Sequence, residues 1–308
     1  MNILVISSNL IGDNILSTGI IKYFSKKHPN SKFTLVVGPS AAQIYKNFPN
    51  VNKLIIVNKE KFSLHWFKIW KKCIFFKWDI IIDFRSSLIS YFLFRKKSYI
   101  YFKYSNDIHQ IQQLTNFFNL EKIAYPIIYN NENEENIVKK KLLFDKKYII
   151  IAPGGNWFPK IWPIENYNKL SQILLNDHKD AFIVLVGSKS EKEKFKKKLI
   201  KNVDEKRIID IMGENITQTY SFIKRSNLFI GNDSGLMHLS AASNIPTIGL
   251  FGPTNDKLYA PFGENCFIIR TKENYQDFNN IKIDKNKSYM HSIKVDDVFE
   301  FINNKKII

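Results

Sequence analysis

Short, nearly continuous apolar runs alternate along this chain with longer stretches in which apolar residues recur every three or four positions. The first pattern suits strands buried on both faces, the second helices docked on a sheet. It predicts strands over 2–7, 32–37, 53–57 and 78–84, with helices over 14–27, 41–48 and 62–76 between them. A second series follows, with strands over 148–151, 181–186, 208–211, 228–230 and 247–251 and helices over 163–175, 217–224, 236–242 and 295–303. Between the two series, Asn130-Asn131-Glu132-Asn133-Glu134-Glu135-Asn136 is polar and acidic, and reads as a linker entering a surface helix that runs to Phe144. Such alternation predicts α/β architecture with parallel sheets. The two series suggest Rossmann-like halves, 1–145 and 146–308, facing a cleft, with the last helix left free to pack back on the first half.

The richest stretch for chemistry joins the strand 228–230 to the helix after it: Gly231-Asn232-Asp233-Ser234-Gly235-Leu236-Met237-His238. A turn of this kind aims backbone N–H groups and the positive helix end at its ligand, which suits a diphosphate. Gly252-Pro253-Thr254 closes the next strand, so two neighbouring strands end over one candidate site. A third turn, Ala152-Pro153-Gly154-Gly155-Asn156, leads to Lys160. Its glycines let backbone amides approach phosphate, and Lys160 either adds the compensating charge or is an ordinary surface lysine.

Two acids, Asp13 and Asp233, stand just before predicted helices. Each is either an N-cap or a functional carboxylate, and Asp13 at the carboxyl edge of the first strand is placed to act as a general base. Gly12 beside it allows a close backbone approach or an unusual φ. His238 lies alone on a helix, a setting more often structural than catalytic. Glu191 follows Val186-Gly187-Ser188 and is either a ribose-binding acid or a solvated member of the charged run 189–198.

Composition narrows the picture. The formal charge of +18 attracts polyanions, whether nucleic acid, anionic lipid or phosphorylated sugar, or else reflects a lysine-rich solvated surface. Cys73 and Cys266 fit neither a disulfide framework nor a metal spacing, which favours a reducing compartment. The first residues lack the basic region of a signal peptide, and no apolar run approaches the ~18 residues of a membrane span. The predicted helix 62–76 places Trp66, Ile69, Trp70, Cys73 and Ile74 on one side and Lys68, Lys71 and Lys72 on the other. It is either docked on a sheet or lies on an anionic bilayer. No G-x-S-x-G, P-loop, G-x-G-x-x-G, H-E-x-x-H or Asp-x-Asp occurs, so a metal-free site built from backbone dipoles and lysine is the simplest expectation.

Four stretches resemble bacterial glycosyltransferases of family 9, the ADP-heptose:lipopolysaccharide heptosyltransferase type. They are Ile3-Leu4-Val5-Ile6 with Leu10-Ile11-Gly12-Asp13-Asn14-Ile15-Leu16; Trp78-Asp79-Ile80-Ile81-Ile82-Asp83-Phe84-Arg85-Ser86-Ser87; Pro153-Gly154-Gly155-Asn156-Trp157 with Lys160-Ile161-Trp162-Pro163; and Asn232-Asp233-Ser234-Gly235-Leu236-Met237-His238-Leu239 with Leu250-Phe251-Gly252-Pro253-Thr254. The resemblance implies a GT-B fold, with the acceptor on the first Rossmann-like domain and the nucleotide-sugar donor on the second. It implies inverting, metal-independent transfer of a heptose-type sugar from ADP-heptose to a lipopolysaccharide core or related glycan. Asp13 would be the base and Lys160 the charge on the leaving diphosphate. Donor contacts would come from Gly12, Gly154, Gly155, Asn156, Asp233, Ser234, Gly235, Leu236, His238, Gly252, Pro253 and Thr254, with Glu191 near the ribose and Met212 near the adenine. The expected partners are the nucleotide sugar and an anionic lipid A or core acceptor, in the cytoplasm, with peripheral contact at the inner membrane. Departures are Asn232-Asp233-Ser234 for the commoner threonine form, Gly155-Asn156 for a hydroxyl pair, and Arg85-Ser86-Ser87 in the acceptor-side turn. Two other readings are a basic nucleic-acid-binding protein, for which no recognised module is apparent and which is not expected, and a family member that binds nucleotide sugar without catalysis.

Overall fold

The computed structural model describes residues 1–58, 60 and 63–308. Phe62, at the head of the predicted helix 62–76, lies outside the described residues. Contacts divide the chain into two units, Met1–Tyr129 and Asn130–Ile308. Each is built on one parallel sheet, the α/β architecture that a GT-B chain requires.

In the first unit, β1 (Asn2–Ile6), β2 (Lys32–Val37), β3 (Val51–Ile56), β4 (Trp78–Asp83) and β5 (Arg95–Ile100) stand in the order β3-β2-β1-β4-β5. Ile3 to Ile6 are fully buried, as a run without polar alternation requires. Each such side chain contributes about 1.5–3 kcal/mol of transfer free energy. The helix after β1 spans Ile11–Lys27 and begins before the predicted residue 14. Its Asn14, Ser17 and Thr18 are buried with their polar atoms satisfied: Asn14 Nδ2 donates to the carbonyls of Ser8 and Leu10, both at 2.7 Å, and Thr18 Oγ1 accepts from the Ile127 amide at 2.9 Å. Gly19 has no room for a side chain, since a Cβ there would stand 2.1 Å from the Ala124 carbonyl oxygen.

The predicted helix 41–48 is a short helix, Pro39–Ala42, followed by a tight turn, Gln43–Tyr45. The pattern missed β5 and the helix Gln110–Phe117. β5 is an edge strand whose Arg95, Lys96 and Lys97 mask its apolar content, as charges on an exposed edge commonly do.

In the second unit, β6 (Lys147–Ala152), β7 (Ala181–Leu185), β8 (Ile208–Asp210), β9 (Leu228–Asn232), β10 (Thr247–Phe251) and β11 (Cys266–Arg270) stand in the order β11-β10-β9-β6-β7-β8. β11 was not predicted. The acidic stretch caps and opens the helix Glu132–Lys141, where Asn131 accepts from the Glu134 amide at 2.9 Å. That helix packs on Ile216–Lys224 within the second unit: Thr217 donates to Glu134, and Arg225 Nε lies 3.2 Å from Glu135. The division between units therefore falls before the acidic stretch, where composition alone had put it after. The final helix, Val295–Asn304, packs on Ile164–Asp177 in the same unit, with Val298 and Ile302 in one core with Trp162, Leu170 and Leu174. Among the described residues no helix is long and apolar enough to cross a membrane.

Candidate functional site

β10, β9 and β6 are adjacent and parallel, so the turns that follow them lie side by side at one sheet edge. After β6 the chain adds β7 and β8 on one side, and β9 starts the other. The crevice between β6 and β9 is thus the topological switch point, where open α/β sheets bind ligands.

Asn232 holds that crevice in shape. It ends β9 and is fully buried. Its Oδ1 accepts from the Trp162 amide at 2.9 Å and the Tyr167 hydroxyl at 3.0 Å, and its Nδ2 donates to the carbonyls of Pro153 and Gly154 at 2.9 and 3.0 Å. One side chain therefore fixes the turn after β6 and the approach to the helix Ile164–Asp177. Sequence reasoning had seen Asn232 only as part of a motif. The signal was available: a polar residue closing an apolar strand must bury its amide, and a buried amide needs partners.

The turn after β6 places Lys160 Nζ 3.1 Å from Asp233 Oδ2, both side chains nearly buried. Lys160 is thus no ordinary surface lysine. Nor is Asp233 an N-cap: the cap of the helix Gly235–Ala241 is Ser234, and the Asp233 amide already donates to the Leu250 carbonyl at 3.2 Å. That corrects the expectation that the Asp233 N–H is open to phosphate. No side chain caps the helix, which leaves Gly235 and Leu236 with the orphan N–H groups of a first turn. Ser234 Oγ and Thr254 Oγ1 are buried and have no hydrogen-bond partner among the described residues, one after β9 and one after β10. Buried hydroxyls are normally paired. His238 is buried, with its amide on the Ser234 carbonyl. Gly252 and Pro253 are buried beneath Thr254, where Arg270 donates to the Gly252 carbonyl and pairs with Asp256.

Glu191 is a strut rather than a member of a solvated run. Its Oε2 accepts from Ser188, amide at 2.7 Å and hydroxyl at 2.8 Å, in a capping box that starts the helix Lys189–Leu199. Its Oε1 reaches back to the Gly155 amide at 2.9 Å. The Gly155 amide is therefore occupied in this structure, where the sequence reading had offered it to phosphate. Gly154 admits the carboxylate: a Cβ there would lie 1.9 Å from Glu191 Oε1. Asn156 is exposed in the same turn. Met212 is buried in the core. Beside it Asp210 takes Lys192 and Lys196 at 3.1 and 3.0 Å. Burial alone would raise the Asp210 carboxyl, but hydrogen bonds from Lys196, the Met212 amide and Lys192 outweigh it and hold it below the usual range.

In the first unit, Asp13 is the third residue of its helix, and the cap is Leu10. Gly12 is likewise helical and is not among the positive-φ glycines, which removes the reading of an unusual backbone there. Ser8 donates its hydroxyl to Asp13 Oδ2 at 2.8 Å and accepts from the Leu10 amide at 3.1 Å and Arg85 Nη1 at 3.4 Å. Asp83, fully buried at the end of β4, sets the Arg85 turn: its carboxylate accepts from the amides of Arg85 and Ser87 at 2.8 and 2.9 Å and from the hydroxyls of Ser87 and Ser90. Ser8, Asp83 and Arg85 had no assigned role in the sequence reading. A small cavity of about 20 Å3 opens here, with Ser7, Asn9, Arg85, His65 and Trp66 in its wall. Among the described residues no group of three or more His, Cys, Asp or Glu side chains could hold a metal ion.

Residues 117–289 match the family described as Glycosyltransferase family 9 (heptosyltransferase). The chain is 31% identical over 137 residues to lipooligosaccharide heptosyltransferase 2 of Haemophilus influenzae, a match that spans 43% of this chain and 39% of that one. It is 24% identical over 314 residues to lipooligosaccharide heptosyltransferase 2 of Haemophilus ducreyi, which takes in 88% of each. Its fold resembles that of Escherichia coli heptosyltransferase WaaC, solved with ADP: TM-score 0.74, 18% identity, 99% of each chain. WaaC has also been solved with ADP-2-deoxy-2-fluoro heptose.

Proposed function

The chain belongs to glycosyltransferase family 9, and we propose that it moves a heptose-type sugar from ADP-heptose to a lipopolysaccharide-core or related glycan acceptor, with inversion and without a metal. The observation that carries this reading is the second unit's carboxyl edge, where Lys160 and the unpartnered hydroxyls of Ser234 and Thr254 belong to three adjacent turns. A lysine and two hydroxyls in adjacent turns suit an anion with several oxygens, and a diphosphate supplies them.

In this reading the second unit binds the donor. The amides of Gly235 and Leu236 and the two hydroxyls hold the phosphates. Lys160, steadied by Asp233, neutralises the charge that grows on the leaving oxygen. Glu191 keeps the Gly154-Gly155 turn in place and has acceptor capacity left for a ribose hydroxyl. Asn156 lies in the same turn, Gly252-Pro253-Thr254 closes the neighbouring one, and Met212 and His238 support the walls from within. The first unit binds the acceptor. Asp13 takes the proton from an acceptor hydroxyl, whose oxygen forms the new bond to the anomeric carbon. The bond from that carbon to the diphosphate oxygen breaks, and ADP leaves with the electron pair. Ser8 donates its hydroxyl to the Asp13 carboxylate and orients it, which suits a base. ADP-sugars are cytoplasmic metabolites in this scheme, so the reaction belongs to the cytoplasm.

Thermal stabilisation screened across ADP-, UDP- and GDP-sugars tests the donor. The expected result is a shift specific to ADP-heptose; an equal or larger shift with another nucleotide would overturn it.

A further inference from the structure

The helix Leu64–Cys73 has two apolar faces, and the fold covers only one. Ile69 and Cys73 enter a core that Trp66, Trp70 and Ile74 pack against, so the stripe read from the sequence faces inward. The outward side carries Leu64 and Phe67, with Phe67 63% exposed and stacked on Trp70 at 5.8 Å between ring centres. The Trp70 indole N–H donates to the Phe92 carbonyl at 3.1 Å, which joins this helix to residues 88–94. There Ile89 and Leu93 turn into the same core, while Leu88, Phe92 and Phe94 turn out, 76%, 66% and 66% exposed.

Cations frame these side chains. Lys71 and Lys72 are exposed on the helix, and Lys97 follows on β5. Lys68 and Lys96 pair with Glu60 and Asp79, and Arg95 lies over the Tyr91 ring. Exposed apolar patches on this scale mark interaction surfaces. A second copy of the chain would set these lysines against their own kind, whereas an anionic bilayer takes both the rings and the charge. We propose that this face of the first unit docks on an anionic phospholipid bilayer, its aromatic rings at the headgroup–acyl boundary and its lysines on lipid phosphates. The same helix lends His65 and Trp66 to the wall of the Arg85 cavity. Docking would thus bring a lipid-borne acceptor to the unit that holds Asp13; that last step rests on the transferase reading, while bilayer binding does not.

The test is sedimentation of the full chain with vesicles of phosphatidylcholine alone and of phosphatidylcholine mixed with phosphatidylglycerol, at low and high salt. The protein is expected to pellet with the mixed vesicles and to be released in part by salt. Lys71→Glu with Lys72→Glu should weaken that binding roughly fivefold or more per reversed charge. Phe67→Ser with Phe92→Ser should weaken it in high salt as well, with circular dichroism unchanged. A wild-type chain that stays in the supernatant with mixed vesicles overturns the proposal. So does binding that survives both variants, or a dimer in light scattering that Phe67→Ser with Phe92→Ser dissolves. Both variants should keep the ADP-heptose thermal shift. Its absence from wild type with vesicle binding intact would sink the transferase reading and leave this one standing.

Discussion

The two units carry the same kind of sheet and put an aspartate at the same kind of place, yet the two carboxylates live differently. Asp13 is held by a neutral hydroxyl, Ser8 Oγ, in the first turn of a helix. Asp233 is held by an ammonium, Lys160 Nζ, in the turn before one. A hydroxyl donor orients a carboxylate without adding a charge; an ammonium adds one and is itself aimed by the pair. On the reading proposed above, one architecture serves a base on one sheet and an anion site on the other.

The sharpest way to break that contrast is Asp13→Asn. Turnover of ADP-heptose should fall about 10²- to 10⁴-fold, the usual worth of a general base, with the thermal shift on donor binding retained. Unchanged turnover would remove Asp13 from the mechanism. Lys160→Met comes next, with turnover down about 10²- to 10³-fold and donor affinity reduced too. Its counterpart, Asp233→Asn, leaves the charge of Lys160 free, and donor affinity should then hold or rise; a fall equal to that of Lys160→Met would mean that Asp233 itself touches the donor. Asn232→Ala asks about scaffold rather than chemistry. It orphans buried groups in two turns and should lower stability by about 1–3 kcal/mol in denaturant unfolding, where Ser8→Ala should do much less. The smallest effect is one of pH. Asp210 titrates below its unfolded value, so its contribution is fully present above the unfolded carboxyl range and is lost as pH falls below about 4. Asp210→Asn should therefore lower stability modestly at neutral pH and flatten its fall in acid, so that the variant and the wild type converge below about pH 4.

Much of the fold was legible because buried parallel strands announce themselves. Ile3 to Ile6 and Tyr148 to Ile151 allow no other reading, and the βα alternation follows. The edges were not legible. β5 is half lysine and arginine, and the helix Gln110–Phe117 is too polar to stand out from its loops. The acidic stretch looked like a linker, since nothing in its composition shows that Glu134 receives the Thr217 hydroxyl from far along the chain. At the site, residue types located the right turns. They did not tell which amides were already taken: Gly155 by Glu191, Asp233 by Leu250. Those bonds cross between turns, and only the folded sheet brings the turns together.

Asn232 has a further consequence, in time rather than in energy. The Trp162 amide sits in a loop between two prolines, where backbone N–H groups ordinarily trade hydrogen with solvent quickly. Here its acceptor is a side chain locked inside the sheet edge, with Tyr167 sharing the same oxygen. To release that one hydrogen the loop must let go of β9. In heavy water the Trp162 amide should keep its proton as long as the strand beneath it does, a slow clock set in the middle of an irregular segment.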